Sequence, residues 1–556
     1  MPSVPGMERP TSRRPFSLSA RFLFACLLLL VAPAMFAFAW QHGIATIGDD
    51  SVSYLTLARH FAPGGDALAD PWVAWRANFP PLFPLVLAWT GASRDLLAAH
   101  LVVAGIAVAA LVPVWRFAAR ELASEAGGVV VVALFVFTPN AWIGMKGILS
   151  EPLFLLVSMA ALAYYAGRLE ARPGRTGQWL AFGVLLACAY LTRAASVALL
   201  IAYGIHAALR WYRERPAAAW RFALPLAPVV LLVGLWLFLR PSGPADAYSV
   251  TGSEMIAAWL HEPLVTAPIA ARSFLDGWVS SFLAQGAVGT LPKVVLAGFG
   301  VLALAGAVRK AFMNRLDGWY VLVAVGITFM WVFGENNTRR LLYPLVPLLI
   351  LHAAELARSL SSRLRSGRHR AVALAALSAL PVLACLPAAV VLAQKAQERA
   401  PVKPGSGYGY ADVVEFYTTI NLAQARAEAA QTIAVLDGFD ALRSLTPPRS
   451  KIMWMRPEYV AVLAGREGVP FYYKWDERRL AREIQRSGVD YIVLSWVYKT
   501  DLDNRVGDPF DLLAHVGRYS RPVAEFDNAA TGVPAFLLVR VDPAGVRAFL
   551  GPAGPS

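Results

Sequence analysis

Residues 21–54 read RFLFACLLLLVAPAMFAFAWQHGIATIGDDSVSY, and this stretch decides the class of the chain. Residues 21–40 form an apolar run of membrane length, since about 20 such residues cross the hydrocarbon core. The preceding tail is basic at Arg9, Arg13 and Arg14. No small-x-small cleavage pattern stands before Asp49, so the run reads as a retained first span with a cytoplasmic N-terminus. Two adjacent acids, Asp49 and Asp50, follow at its far end. Adjacent carboxylates repel and resist desolvation, so they persist where a metal, a cationic partner or a proton transfer uses them. A second reading is open: Asp is a good N-cap for a helix beginning at Ser51.

Working outward, the composition agrees. Of 556 residues, 57% are hydrophobic and only 16% charged, with a mean hydropathy of +0.50. These values place the chain outside the soluble globular range. The net charge of +14 arises from Lys and Arg at the ends of apolar runs, where they mark cytoplasmic loops. It is a topology signal, and no nucleic-acid partner is expected. The three cysteines, Cys26, Cys188 and Cys385, lie within apolar runs and read as packing residues.

Further spans are expected at residues 96–114, 129–143, 153–166, 179–191, 195–209, 222–239, 291–308, 319–333, 341–356 and 371–392. Every second loop is Arg-rich, so about eleven spans satisfy the positive-inside rule. This puts loops 41–94 and 240–290 on the outer face. Within the first, residues 54–61 repeat apolar positions at helical spacing and predict an amphipathic helix lying in the interface. Phe79-Pro80-Pro81-Leu82-Phe83-Pro84-Leu85 reads as a re-entry into the bilayer.

The expected fold is a polytopic α-helical membrane protein with a small α/β domain at its C-terminus. Its parts are a cytoplasmic tail (1–20), a transmembrane unit (21–393) and an outer domain (394–556). Residues 403–407 read as a linker. A helical stretch over 412–430 comes next. Candidate strands are 433–436, 451–455, 469–473, 491–495 and 535–541, with helices at 457–464, 477–487 and 509–519. At roughly 150 residues such a unit can hold its own core.

On the outer face four charged clusters stand at span ends. They are Asp49-Asp50, Lys146 with Ser150-Glu151, Arg193, and Glu335 through Arg340. Acids and cations on one face are what is needed to hold a phosphate beside a carboxylate base, with or without a divalent metal. Each has a plainer reading. Arg339 and Arg340 suit snorkelling to the interface, and Glu151 before Pro152 suits a helix start.

Four segments carry a resemblance. Asp49-Asp50-Ser51-Val52-Ser53-Tyr54-Leu55-Thr56-Leu57-Ala58-Arg59, the Phe79–Leu85 segment, Leu149-Ser150-Glu151-Pro152-Leu153-Phe154 and Arg339-Arg340-Leu341-Leu342-Tyr343-Pro344-Leu345-Val346-Pro347 occur in order. Together they resemble the motifs of polytopic GT-C glycosyltransferases, the group that includes protein O-mannosyltransferases and the aminoarabinose transferases of lipid A. The resemblance covers the chain to about Leu392. It implies transfer of a sugar from a polyprenyl-phosphate-linked donor to a hydroxyl of an envelope lipid, glycan or protein, at the outer face of an inner (plasma) membrane. It implies Asp50 as general base, spaced to Tyr54 as in the family, with Asp49 orienting it. Arg339, Arg340 and Lys146 would bind the donor phosphate, and Tyr54, Glu151 and Tyr343 would support the site. Asp49 and Glu151 are the candidate ligands for a divalent metal such as Mg or Mn.

The competing classes are a lipid or small-solute transporter, and a non-catalytic scaffold. A transporter gathers intramembrane charge at the bilayer midplane, commonly between internal repeats. Here the charges gather on one face and no internal repeat is visible.

Overall fold

The computed structural model describes residues 18–44, 50–76, 78–170, 175–214, 219–241, 247–283, 289–331, 335–362, 366–418, 421–471, 476–496 and 509–551. The chain opens with helix α1 (Leu18–Ala39), followed by three short helices, α2 (Ser51–Phe61), α3 (Asp70–Arg76) and α4 (Leu82–Trp89). Helix α5 (Leu96–Glu121) is capped by Asp95, whose side chain accepts from the Ala98 amide. Helix α6 (Glu125–Phe137) is capped in the same way by Ser124.

Thr138-Pro139 then breaks the run. Helix α7 (Pro139–Lys146) departs from α6 at 62°, because proline cannot continue a helix but suits the first turn of a new one. Helices α8 (Glu151–Arg168), α9 (Thr176–Thr192), α10 (Val197–Glu214), α11 (Leu226–Leu239), α12 (Ala247–His261) and α13 (Pro263–Phe282) come next. They are followed by α14 (Thr290–Phe312), α15 (Leu316–Met330), α16 (Glu335–Leu342), α17 (Val346–Ser361) and α18 (Gly367–Lys395).

Among the described residues six helices are long and apolar enough to cross a membrane, or seven if the bent α6–α7 pair is one span. The count of eleven is therefore not reached by length and composition. The expected fifth and ninth spans are helices of 17 and 15 residues, short of the roughly 20 that a perpendicular crossing takes. The expected interfacial helix also differs. Residues Ser51–Ala58 of α2 are buried all round, because α4 and the C-terminal part of the chain cover the side that was to face water. The Pro-rich segment is a turn entering α4.

Helices approach closely where small residues allow it. A Cβ on Gly306 of α14 would lie 2.4 Å from the His352 carbonyl oxygen of α17. The end of the bundle remote from α2 is tied by buried charge. Lys310 Nζ lies 3.1 Å from Asp317 and 3.0 Å from Glu355, and also contacts Glu121. Arg315 bonds Glu121 and Glu170, and His352 Nε2 lies 3.0 Å from Asp317. Buried ions of this kind are tolerated only when each has partners.

The C-terminal part begins with α19 (Glu415–Thr418) and α20 (Leu422–Leu445). The strand expected at 433–436 lies inside α20, where the Asn421 cap and the Ala-rich sequence override the β-branched run. A five-stranded sheet follows, made of β1 (Lys451–Trp454), β2 (Glu467–Pro470), β3 (Tyr491–Ser495), β4 (Ser520–Asp527) and β5 (Pro534–Val541) in the order β2-β1-β3-β5-β4. Strands β1, β2 and β3 are parallel, while β5 and β4 run antiparallel. Strand β4 was not foreseen: its burial pattern is mostly exposed, so it carries a weak hydrophobic signal.

Helix α21 (Pro457–Tyr459), the wide turn Val460–Ala464 and helix α22 (Glu477–Ser487) join these strands. The expected linker is tied down. Pro401 pairs with Gly409, and Asp437 of α20 accepts from Ser406 Oγ at 3.0 Å and from the Gly407 amide.

Candidate functional site

Helix α2 begins immediately after Asp50, and its first turns are packed against α4. The Tyr54 ring meets Phe79 and Phe83 edge-on, at centroid distances of 5.2 and 5.0 Å. The Pro-rich segment thus supplies an aromatic wall to this tyrosine. The Tyr54 hydroxyl shares a 2.7 Å hydrogen bond with Ser150 Oγ, 96 residues on. Burial, and then the nearby Asp50 carboxylate, push the Tyr54 pKa well up. The phenol therefore stays protonated and serves as a neutral hydrogen-bonding group.

Ser150 and Glu151 enter α8, and Glu151 is buried. Its Oε1 accepts from Arg340 Nε at 2.7 Å and is ion-paired with Arg193 Nη1 at 2.8 Å. Arg193 follows the end of α9 and also reaches Ser150 Oγ at 3.4 Å. Arg340, on α16, bonds Asp50 Oδ2 through Nη2 at 2.8 Å. Two acids and two arginines, drawn from four separate parts of the chain, make one cluster without net charge. Glu151 Oε2 and Ser51 Oγ are buried and have no hydrogen-bond partner among the described residues. Buried polar atoms in that condition are costly unless a ligand or water meets them.

Asp50 sits at the N-cap position of α2, but its side chain makes no cap hydrogen bond. The carboxylate faces Arg340 instead, so the capping reading gives way to an ion-pair role. Asp49 lies outside the described residues. Arg339 is buried beside α7, where Asn140 Nδ2 reaches its carbonyl at 3.5 Å. Tyr343 is buried with its ring against Phe135 and over Gly144.

Lys146 stands apart from the ion cluster. Its ammonium donates to the Phe38 carbonyl at 3.0 Å and lies over the rings of Phe38 and Tyr417. The structure thus brings Asp50, Tyr54, Glu151 and Arg340 together and adds Arg193, to which the sequence reading assigned no role. The one available signal was its position at a span end.

Among the described residues no three His, Cys, Asp or Glu side chains converge as a metal site would need. Arg340 bonds Asp50 Oδ2 and Glu151 Oε1, while Glu151 Oε2 has no hydrogen-bond partner among the described residues. Of the two expected metal ligands, Asp49 lies outside the described residues and Glu151 is paired with two arginines. An apolar cavity of about 70 Å³ lies among the spans, lined by Leu134, Phe137, Thr138, Phe299, Ile350 and Cys385. Its Thr138 edge is two residues from Asn140, the neighbour of Arg339.

No protein-family model matches the chain, and no curated protein does. Solved structures do. ArnT from Cupriavidus metallidurans bound to undecaprenyl phosphate is similar with a TM-score of 0.50 at 15% identity, over 96% of this chain and 99% of that one. The Archaeoglobus fulgidus oligosaccharyltransferase AglB, in complex with an inhibitory peptide and a dolichol-phosphate, gives 0.45 at 12%, over 94% and 74%. The Archaeoglobus fulgidus oligosaccharyltransferase in complex with Zn and sulfate gives 0.47 at 12%, over 92% and 72%. At these identities the likeness is one of fold, and it rests on the first structure. The chain shares the fold of that ArnT structure.

Proposed function

We propose that the chain is a membrane glycosyltransferase that moves a sugar from a polyprenyl-phosphate-linked donor to a hydroxyl of an envelope lipid, glycan or protein. The observation that carries this reading is the four-membered cluster of Asp50, Glu151, Arg193 and Arg340 on a fold shared with ArnT bound to undecaprenyl phosphate. The cluster supplies both halves of the chemistry. Asp50 accepts the proton of the acceptor hydroxyl as its oxygen bonds to the anomeric carbon, and the bond from that carbon to the phosphate oxygen breaks. The polyprenyl phosphate leaves with the bonding pair, and its growing negative charge is met by Arg340 and Arg193.

Arg340 holds both acids in the free protein, so a phosphate entering the cluster competes for this guanidinium and turns it from Asp50 toward the donor. Arg339 adds positive charge beside that position. Glu151 holds the two arginines side by side, and its Oε2 offers an acceptor to a sugar hydroxyl. The polyprenyl tail belongs along the apolar helices in the bilayer, and the head in the polar cluster. By the positive-inside pattern the Asp50 end of the bundle faces outward, together with the C-terminal unit, residues 394–556. The membrane is then an inner (plasma) membrane with the N-terminus on the cytoplasmic side.

The direct test is Asp50→Asn in reconstituted membranes. Sugar transfer should stop while the protein stays folded and still binds undecaprenyl phosphate; full retained transfer would end the assignment. Mass spectrometry of envelope lipids, glycans and glycoproteins with and without the chain identifies sugar and acceptor.

A further inference from the structure

Helix α2 carries Asp50 at its N-terminal end, yet that end lacks the side-chain cap that Asp at this position ordinarily provides. The carboxylate is turned to Arg340 instead. The opposite end of α2 is held from outside the membrane unit. Arg59, in the last turn, donates through Nη2 to the Val462 carbonyl at 2.9 Å and through Nη1 to the Ala461 carbonyl at 3.4 Å. Its Nε donates to the Ser93 carbonyl at 3.2 Å, and Asp66 lies 3.6 Å away.

Ala461 and Val462 belong to the wide turn after α21, in the C-terminal unit. That turn is itself fixed. It ends at Gly465 with φ +63°, a left-handed conformation that glycine adopts readily. Arg466 then donates to Ala464 and Gly465 carbonyls, to the Arg443 and Thr446 carbonyls and to Thr446 Oγ1. A second tie lies beside the first, between Arg76 of α3 and the buried carboxylate of Glu458.

We infer that residues 457–466 of the C-terminal unit brace α2 through Arg59, and so set where Asp50 and Tyr54 stand against Arg340 and Ser150. Arg59 is a positioning residue: it acts about 13 Å from Asp50 along a helix that rises about 1.5 Å per residue. A helix buried along its length transmits displacement at one end to the other. Misplacing a reacting group by about 1 Å costs up to about 100-fold in rate. This role rests on the reading of Asp50 as the base.

The experiment uses the full chain in lipid nanodiscs, with undecaprenyl phosphate as the binding probe and the host's polyprenyl-phosphate sugar pool for transfer. In Arg59→Ala, amides 52–58 should exchange with solvent about tenfold faster, as expected when a local anchor is lost. The rate kcat should fall about 10- to 100-fold with donor KM unchanged and undecaprenyl phosphate affinity within about twofold, the margin expected when no direct ligand contact is lost. Arg59→Lys, with one donor for the Val462 carbonyl, should recover part of kcat. Glu458→Gln removes the second tie, to Arg76, loosens the same 457–466 segment and should move exchange and kcat in the same directions, which keeps the test sound if Arg59→Ala does not fold.

Three results overturn the brace: unchanged protection of α2, faster exchange with undiminished transfer, or parallel loss of transfer and undecaprenyl phosphate affinity. Retained transfer in Asp50→Asn overturns the catalytic reading, and with it the positioning role. The exchange measurement separates the two failures, because it reports the anchoring of α2 whatever Asp50 does.

Discussion

Glu151 and Asp50 both bond Arg340, but the structure gives them opposite balances of stability and chemistry. The Glu151 side chain is 2% exposed and is ion-paired with two guanidiniums, whose side chains are 16% and 19% exposed. Glu151→Gln keeps the shape and removes the charge. It points an amide N–H₂ into a space framed by cations, and the four-residue cluster goes from zero to +1. Removing one partner from a buried ion network costs about 3–5 kcal/mol. Both arginines keep some solvent and Arg340 keeps Asp50, so we expect the low end, about 3 kcal/mol.

Asp50 is 29% exposed and forms an ion pair with Arg340. The same amide substitution there should cost about 1 kcal/mol or less, the range of a partly exposed pair. Thermal unfolding of the reconstituted chain, followed by tryptophan fluorescence, reads the ordering. Transfer assays on the same samples read the chemistry. Asp50→Asn should melt close to the parent and be inactive, whereas Glu151→Gln should melt distinctly lower. If the two variants lose the same stability, or Glu151→Gln melts like the parent, the division of the cluster into base and scaffold is wrong.

Arg340→Ala removes the guanidinium that faces both acids, and undecaprenyl phosphate affinity should fall about tenfold or more, the scale of one charge-assisted contact of about 1.5–3 kcal/mol; native mass spectrometry measures it. Gly144→Ala would place a Cβ 2.6 Å from the Tyr343 ring, so we expect about 1–3 kcal/mol of overpacking cost and a lowered melting temperature. Lys310→Met would leave Glu121, Asp317 and Glu355 facing one another. It should cost about 3–5 kcal/mol in chemical denaturation, with no specific effect on undecaprenyl phosphate binding in the protein that remains folded. Asp437 of α20 has its pKa raised by burial, against the lowering effect of Ser406 and the Gly407 amide. A raised carboxyl keeps its proton longer in the native state, so its contribution to stability declines as pH rises from the unfolded value, about 3.9, through the native one. Asp437→Asn should therefore melt no lower than the parent at pH 7 and lose its relative advantage near pH 4. Melts of the full chain at both pH values check this.

The membrane class, the order of the motifs and most of the C-terminal strands were legible in the sequence, because each depends on local pattern. Apolar runs of membrane length need no partner to be recognised. Strand β3 was read at its observed bounds because the β-forming run Tyr491-Ile492-Val493-Leu494 follows the turn-forming Ser487-Gly488 and Asp490 and meets the polar Ser495. Strand β4 escaped because an exposed edge strand leaves little hydrophobic trace. The short helices α9 and α15 were read as full spans because composition marks apolar character more plainly than helix length.

The cluster itself was decided by tertiary structure. Local pattern cannot say which of two consecutive arginines meets Glu151. Neighbours on a helix point about 100° apart, and it is the packing of α16 that turns Arg340 to the acids and leaves Arg339 buried. Nor does any local signal bring Arg193 to Glu151, or draw Lys146 away to Phe38 and Tyr417, since those partners lie far apart in the chain. For the stretch that opens the chain, the sequence determined a span followed by two acids. Only the folded chain decided that Asp50 turns from its own helix to a guanidinium 290 residues away, because its backbone is already helical (φ -64°, ψ -9°) and a side-chain cap needs an extended residue.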